Sequence, residues 1–260
     1  ERAQISGWCT AKGRLLTTFV IWPIENGYRL VLASDVRDAI AKRLKMYVLR
    51  LKVQVIPATD LVYGLLHPGT ALANLPLPTT DWQVTRQDEM TAVRIDSTRV
   101  LLTGPENQFQ ALTADLACAS QEDWLRADIA QGFPLVTQAT SEHYVPQMIN
   151  LDKLGGVSFK KGCYPGQEIV ARTHYLGKIK RHLYRVGSEQ PLVSGTEVRS
   201  AVLNGQACGS LLMVAPGLDG NWLALAVLQQ DATEGALYLQ TEAGEQTLTL
   251  IDLVLPEAAE

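Results

Sequence analysis

The sequence predicts an α+β chain that ends in a small antiparallel barrel or sandwich. Three observations carry this. The chain has 260 residues and 47% hydrophobic content, enough for two or three compact units. Up to about residue 130, strand-like and helix-like stretches are mixed. From residue 183 the texture changes: "LYRVG", "TEVRS", "GQACGSLLMVA", "WLALAVLQ", "ALYLQT" and "QTLTLIDLVL" are short strands split by Gly, Asn and Asp.

In chain order, residues 13–24, "GRLLTTFVIWPI", are apolar and β-branched and read as a strand. "ENG" then signals a hairpin turn into a strand at 28–33. Ser34 is placed to cap a helix over 35–44, with Asp35 and Asp38 in its first turn. Residues 48–58, "VLRLKVQVIPA", alternate and read as a strand, and 61–67, "LVYGLLH", read as a buried one. Residues 69–73 suggest the start of a short helix, and "LPLPTT" at 75–80 a loop. Residues 91–96 and 99–104 predict a hairpin, and 105–116 a helix. A partly buried helix is expected over 121–130, with Trp124, Leu125 and Ile129 at 0, +1 and +5. A domain boundary falls near 180–186, and with a second division at 85/86 the expected segments are 1–85, 86–182 and 183–260.

Composition narrows the class. The net charge is −4, which argues against nucleic-acid binding by bulk charge. No run approaches 18 consecutive apolar residues, so no membrane span is expected. No charged-apolar-small leader marks secretion. Cys9, Cys118, Cys163 and Cys208 are far apart, which fits a reducing cytoplasm and argues against a locally built metal site. The chain opens on Glu1, inside structured sequence, so further residues are expected upstream.

The most unusual stretch is residues 160–182, "KKGCYPGQEIVARTHYLGKIKRH". Gly162 and Gly166 bracket Cys163-Tyr164-Pro165. Glycine permits positive φ and proline fixes φ, so a rigid turn should hold one side chain outward. Gln167 and Glu168 offer an amide and a carboxylate at its exit. Residues 160–185 hold seven cations (Lys160, Lys161, Arg172, Lys178, Lys180, Arg181 and Arg185) against the single acid Glu168. That net +6 leaves −10 for the rest of the chain. Neighbouring cations favour a thiolate, so Cys163 is expected to be the reactive thiol. Cys9, Cys118 and Cys208 sit in apolar or small-residue runs and are expected to react more slowly. The plainer readings are a packed cysteine and a solvated charged face. A Cys–His hydrolase using His143 or His174 has no supporting spacing.

Residues 161–168, KGCYPGQE, resemble the KGC(Y/F)xGQE signature of the YgfZ-type folate-binding proteins. These belong to the superfamily of the glycine-cleavage T-protein, an aminomethyltransferase. The resemblance extends through "VPQMINL" (145–151), "LGGVSF" (154–159) and "VARTHYLGKIKRHL" (170–183), and to "KGR" at 12–14. It implies three α+β and β domains in a ring, a C-terminal β-barrel, and a chain truncated at its front. It also implies tetrahydrofolate or a folate derivative as cofactor, iron–sulfur enzymes or their assembly proteins as partners, and a role in tRNA modification. Cys163 would be the reactive group. Trp124, Lys161, Tyr164, Gly166, Gln167, Glu168 and Arg172 would contact folate, and no resident metal is implied. Arg172, Lys178 and Lys180 would meet a glutamate tail or an acidic partner.

Two departures bear on activity. Thr17 and Thr18 stand where the transferases carry an acid, and a hydroxyl cannot supply that charge. Ala130 stands where the family's helix often ends in an acid, and Asp128 lies about 200° away around the helix. The sequence therefore favours a folate-binding accessory protein over a tetrahydrofolate-dependent aminomethyltransferase. A tRNA-binding module is the third reading. Direct nucleic-acid binding is not expected, because only Tyr164, Tyr175 and Tyr184 interleave the basic run.

Overall fold

The computed structural model describes residues 1–69, 71–72, 75–113, 116–177 and 179–254. The chain divides into two compact units. One comprises Glu1–Gln4, Val20–Val31 and Arg37–Ser120; the other comprises Ile5–Phe19, Leu32–Val36 and Gln121–Glu260.

The chain begins with β1 (Gln4–Cys9), β2 (Leu15–Ile24) and β3 (Gly27–Leu32), a sheet in the order β1-β2-β3. The expected strand at 13–24 and its hairpin partner are β2 and β3. Helix α1 (Ser34–Val48) takes Ser34 as its first residue and continues to Val48, past the expected end. The expected strand at 48–58 does not form: Val48 ends α1 and residues 49–60 carry no strand. Leu51, Val53 and Ile56 are exposed there and Val55 is half-buried, and none of them joins a sheet.

Strand β4 (Leu61–Leu66) is present but not buried, because it is the edge of a sheet and exposes Val62 and Tyr63. In place of a helix near 69–73, β5 (Ala71–Leu72) pairs with β6 (Leu75–Pro76); residues 70 and 73 lie outside the described ones. Strands β7 (Val84–Gln87), β8 (Met90–Asp96) and β9 (Arg99–Gly104) complete a sheet in the order β4-β9-β8-β7. The β8–β9 hairpin is the one expected. Its turn is held by Asp96, which accepts from the Thr98 N–H at 2.8 Å and from Arg99 Nε at 2.8 Å. Leu75, Leu77, Ala92, Val100, Leu102 and Phe109 form the core beneath it, Phe109 coming from α2 (Glu106–Thr113).

In the second unit, α3 (Gln121–Gln131) is followed by a long irregular stretch, then α4 (Gln167–Tyr175). The remainder is a closed six-stranded antiparallel barrel of β10 (Arg181–Ser188), β11 (Glu197–Ser200), β12 (Gln206–Pro216), β13 (Trp222–Gln229), β14 (Leu237–Thr241) and β15 (Gly244–Leu253). Its strand order is β10-β13-β12-β11-β14-β15, and pairing of β10 with β15 closes it and removes both edges. Tyr184, Val198, Leu211, Ala226, Leu239 and Leu248 fill its interior. Helix α3 packs on β12 and β13. That second covering explains why "WLALAVLQ" is buried from Ala224 through Leu228 instead of alternating. Among the described residues no helix is long and apolar enough to cross a membrane.

Candidate functional site

The site is built where the turn before α4 meets the β1–β2 connection. Gly166 caps α4 with φ 84° and ψ −2°. A Cβ there would lie 2.4 Å from the Thr10 carbonyl oxygen and 2.8 Å from both N and Cα of Gly13. Gly13 has φ 69°, and its own Cβ would lie 2.9 Å from Cβ of Ile169. Two glycines thus let backbone press on backbone. The "KGR" turn is itself closed by Gly13 N–H to Thr10 O at 2.9 Å and Thr10 N–H to Arg14 O at 2.8 Å. The two motifs, far apart in the chain, form one rigid structure.

Gln147 anchors α4 from the other side. It is 2% exposed, and its Nε2 donates to the Val170 carbonyl at 2.7 Å. Its Oε1 is buried with no hydrogen bond among the described residues. Its length and polarity suit an internal strut, a role invisible in the sequence except as a glutamine in an apolar run.

The sequence-identified residues differ in their surroundings. Lys161 and Tyr164 gather by Cys9. The Lys161 ammonium stands 4.9 Å from the Tyr164 ring centroid. Burial pushes the Cys9 thiol up to about 11, opposed by the charge of Lys161. Burial, then Cys9, raises the Tyr164 phenol, whose hydroxyl is buried without a partner among the described residues. Cys163, between them in the chain, is free and exposed. Glu168 and Arg172 are exposed on α4, and Gln167 is half-buried, its N–H bonded to the Tyr164 carbonyl at 3.1 Å. Lys178 lies outside the described residues. Trp124 is half-buried on α3, a different element of the same unit.

The remaining residues singled out in the sequence have these surroundings. Cys118 is exposed, so burial gives it no protection from thiol reagents. Arg185 is not available to an anion: it pairs with Asp252 through Nε–Oδ1 at 2.7 Å and a second, shorter contact. His174 is stacked on Phe159 and His143 is edge-on to Tyr144; among the described residues neither hydrogen-bonds Cys163. Thr17 and Thr18 are fully buried and bonded to backbone: the Thr17 hydroxyl is shared between Thr18 O at 3.0 Å and Val136 O at 3.3 Å, and Thr18 Oγ1 donates to Pro134 O at 3.0 Å. No group of three or more His, Cys, Asp or Glu side chains able to hold a metal occurs among the described residues.

The fold class is that of a glycine-cleavage aminomethyltransferase. The glycine cleavage system aminomethyltransferase T from Bartonella henselae matches with a TM-score of 0.67 at 13% identity, over 100% of this chain and 78% of that one. No family model matches the chain. Its sequence is 32% identical to the tRNA-modifying protein YgfZ of Colwellia psychrerythraea, over 92% of this chain and 78% of that one. It is 31% identical to the YgfZ of Cronobacter sakazakii, again over 92% and 78%. The chain belongs to the YgfZ family.

Proposed function

We propose that the protein is a tetrahydrofolate-binding accessory factor of tRNA modification that supports iron–sulfur enzymes, with Cys163 as its reactive thiol. The observation that carries this reading is a free, exposed Cys163 on a turn locked by the Gly13–Gly166 contact. A thiol so presented is within reach of another protein. The relatives' name, tRNA-modifying protein, supports the tRNA role.

The residues fit a folate by their chemistry. Trp124 offers an indole for ring stacking. Lys180 is exposed and has no carboxylate partner among the described residues, which suits an anionic glutamate tail. Bound tetrahydrofolate supplies nitrogens that carry a one-carbon unit. The transferase reading is weaker, because the hydroxyls of Thr17 and Thr18 are committed to backbone carbonyls, those of residues 18 and 136 for Thr17 and of residue 134 for Thr18. An iron–sulfur cluster passing over Cys163 would take its remaining ligands from the partner.

Isothermal titration with tetrahydrofolate tests the reading. Binding is expected to quench tryptophan emission, and Trp124→Ala to weaken it by about 1–3 kcal/mol. Unchanged affinity in a folded Trp124→Ala protein removes Trp124 from the site; no binding by the wild type removes folate from the function.

A further inference from the structure

We propose that the outer face of α4 binds single-stranded RNA, with Phe159, His174 and Tyr175 as a base-stacking platform and Lys160 and Arg172 as phosphate contacts. This deepens the tRNA reading above and rests on it for the choice of RNA, but it does not depend on folate.

The rings supply the first argument. The Phe159 and His174 rings are stacked, centroids 3.8 Å apart at 18°. Tyr175 stands edge-on to both, 4.8 Å from His174 and 6.1 Å from Phe159. The cluster lies at the surface: His174 is exposed and Tyr175 is 68% exposed. Phe159 reaches the basic run from before the signature, so the sequence alone did not interleave it.

Charge supplies the second. Lys160 follows Phe159 directly, and Arg172 lies one turn before Tyr175 on the same helix. Both are exposed and neither is in an ion pair among the described residues; Glu168, one turn before Arg172, does not pair with it. An acidic protein surface would satisfy the cations but has no need of flat rings. A duplex presents phosphates but hides the faces of its bases. An unpaired strand offers both phosphate and base face.

Fluorescence anisotropy of a labelled uridine RNA about 12 nucleotides long, with the full chain between about 50 and 200 mM KCl, tests this. Single-stranded RNA is expected to bind at least about tenfold tighter than an RNA duplex of the same length. Tyr175→Ala and His174→Ala should each weaken binding about 5- to 100-fold with an unchanged salt slope, and Tyr175→Phe should retain it. Arg172→Gln should lower the slope of log K against log salt by about 0.7. Circular dichroism establishes that each variant is folded; if Tyr175→Ala is not, Tyr175→Leu takes its place. Equal binding of duplex and single strand, with the ring variants silent, overturns the proposal in favour of plain polyanion attraction. Binding of poly-glutamate but not RNA overturns it in favour of an acidic protein partner. If RNA fails to bind while Cys163→Ala still abolishes tRNA modification in a complementation assay, this surface is wrong and the proposed function stands.

Discussion

The barrel and the signature segment lie in one compact unit and are built on opposite principles. The barrel buries inward-facing residues of six strands, with β13 buried on both faces, and any apolar side chain of similar volume serves its purpose at most interior places. The segment 160–177 buries little. Lys160, Lys161, Cys163, Glu168, Arg172 and Tyr175 are exposed, and its position depends on two glycines and one glutamine. The barrel is therefore tolerant of identity but sensitive to volume. The segment is tolerant of volume at its surface but has no substitute for Gly13 or Gly166.

The largest expected effect lies in the barrel. Leu211 is fully buried in its core, so Leu211→Ala should destabilise by about 2–5 kcal/mol, read as a lowered unfolding midpoint. Alkylation of Cys163 well below that midpoint should proceed at the wild-type rate. A changed rate would show that the two regions are energetically one.

Gly166→Ala comes next and should act in reverse. Left-handed backbone alone costs a non-glycine residue about 1–2 kcal/mol, and the clash with Thr10 O adds to it. Undocking should speed amide exchange at Val170, which donates to the Gly166 carbonyl, and at Gly13, while barrel amides keep their protection. Wild-type exchange at Val170 in this variant would refute the idea that the two turns hold each other.

A smaller effect tests the barrel seam. The hydrogen bond from Arg185, opposed by slight burial, holds the Asp252 carboxyl below its ordinary value. A lowered carboxyl stabilises the fold above the unfolded pKa of about 3.9 and loses that contribution as pH falls through the folded value. The pair joins β10 to β15 but is open to solvent, so it contributes under about 1 kcal/mol. Unfolding midpoints of wild type and Asp252→Asn should differ at about pH 6 and converge below about pH 4. A gap that persists at low pH would mean that the asparagine disturbs packing instead.

The same contrast decides what could be read from the sequence. Short apolar and β-branched runs split by Gly, Asn and Asp are a local signal, so the barrel strands were legible. So was the turn around Cys163, because Gly162, Pro165 and Gly166 announce it. Alternation misled at residues 48–58, since Leu51, Val53 and Ile56 join no sheet, and strand partners are not a local property. Burial was overread at Leu61–Leu66 for the same reason: being an edge depends on the whole sheet. The Gly13–Gly166 contact and the Phe159–His174 stack join residues distant in the chain, and nothing in either stretch alone points to the other.

The smallest effect on stability concerns Cys163, and here the structure sharpens the expectation. Its turn is held by Gly166 and by the Gln167 N–H to Tyr164 O bond, neither of which involves the sulfur. Cys163→Ala should therefore change stability by under about 0.5 kcal/mol, as an exposed substitution does. Thiol labelling should divide the four cysteines in two. Cys9 and Cys208 are buried, and burial pushes both thiols up to about 11. At about pH 8 roughly one in a thousand of each is thiolate, so neither should react while the protein is folded. Cys163 and Cys118 are both exposed, so both should label, and Cys118 is the proper control for exposure alone. Peptide mapping after limiting iodoacetamide reads the outcome. Faster labelling of Cys163 than of Cys118 means that its turn activates it beyond exposure. Equal rates, with full tRNA modification restored by Cys163→Ala, would reduce the cysteine to an ordinary surface residue and leave the rigid turn beneath it without a purpose.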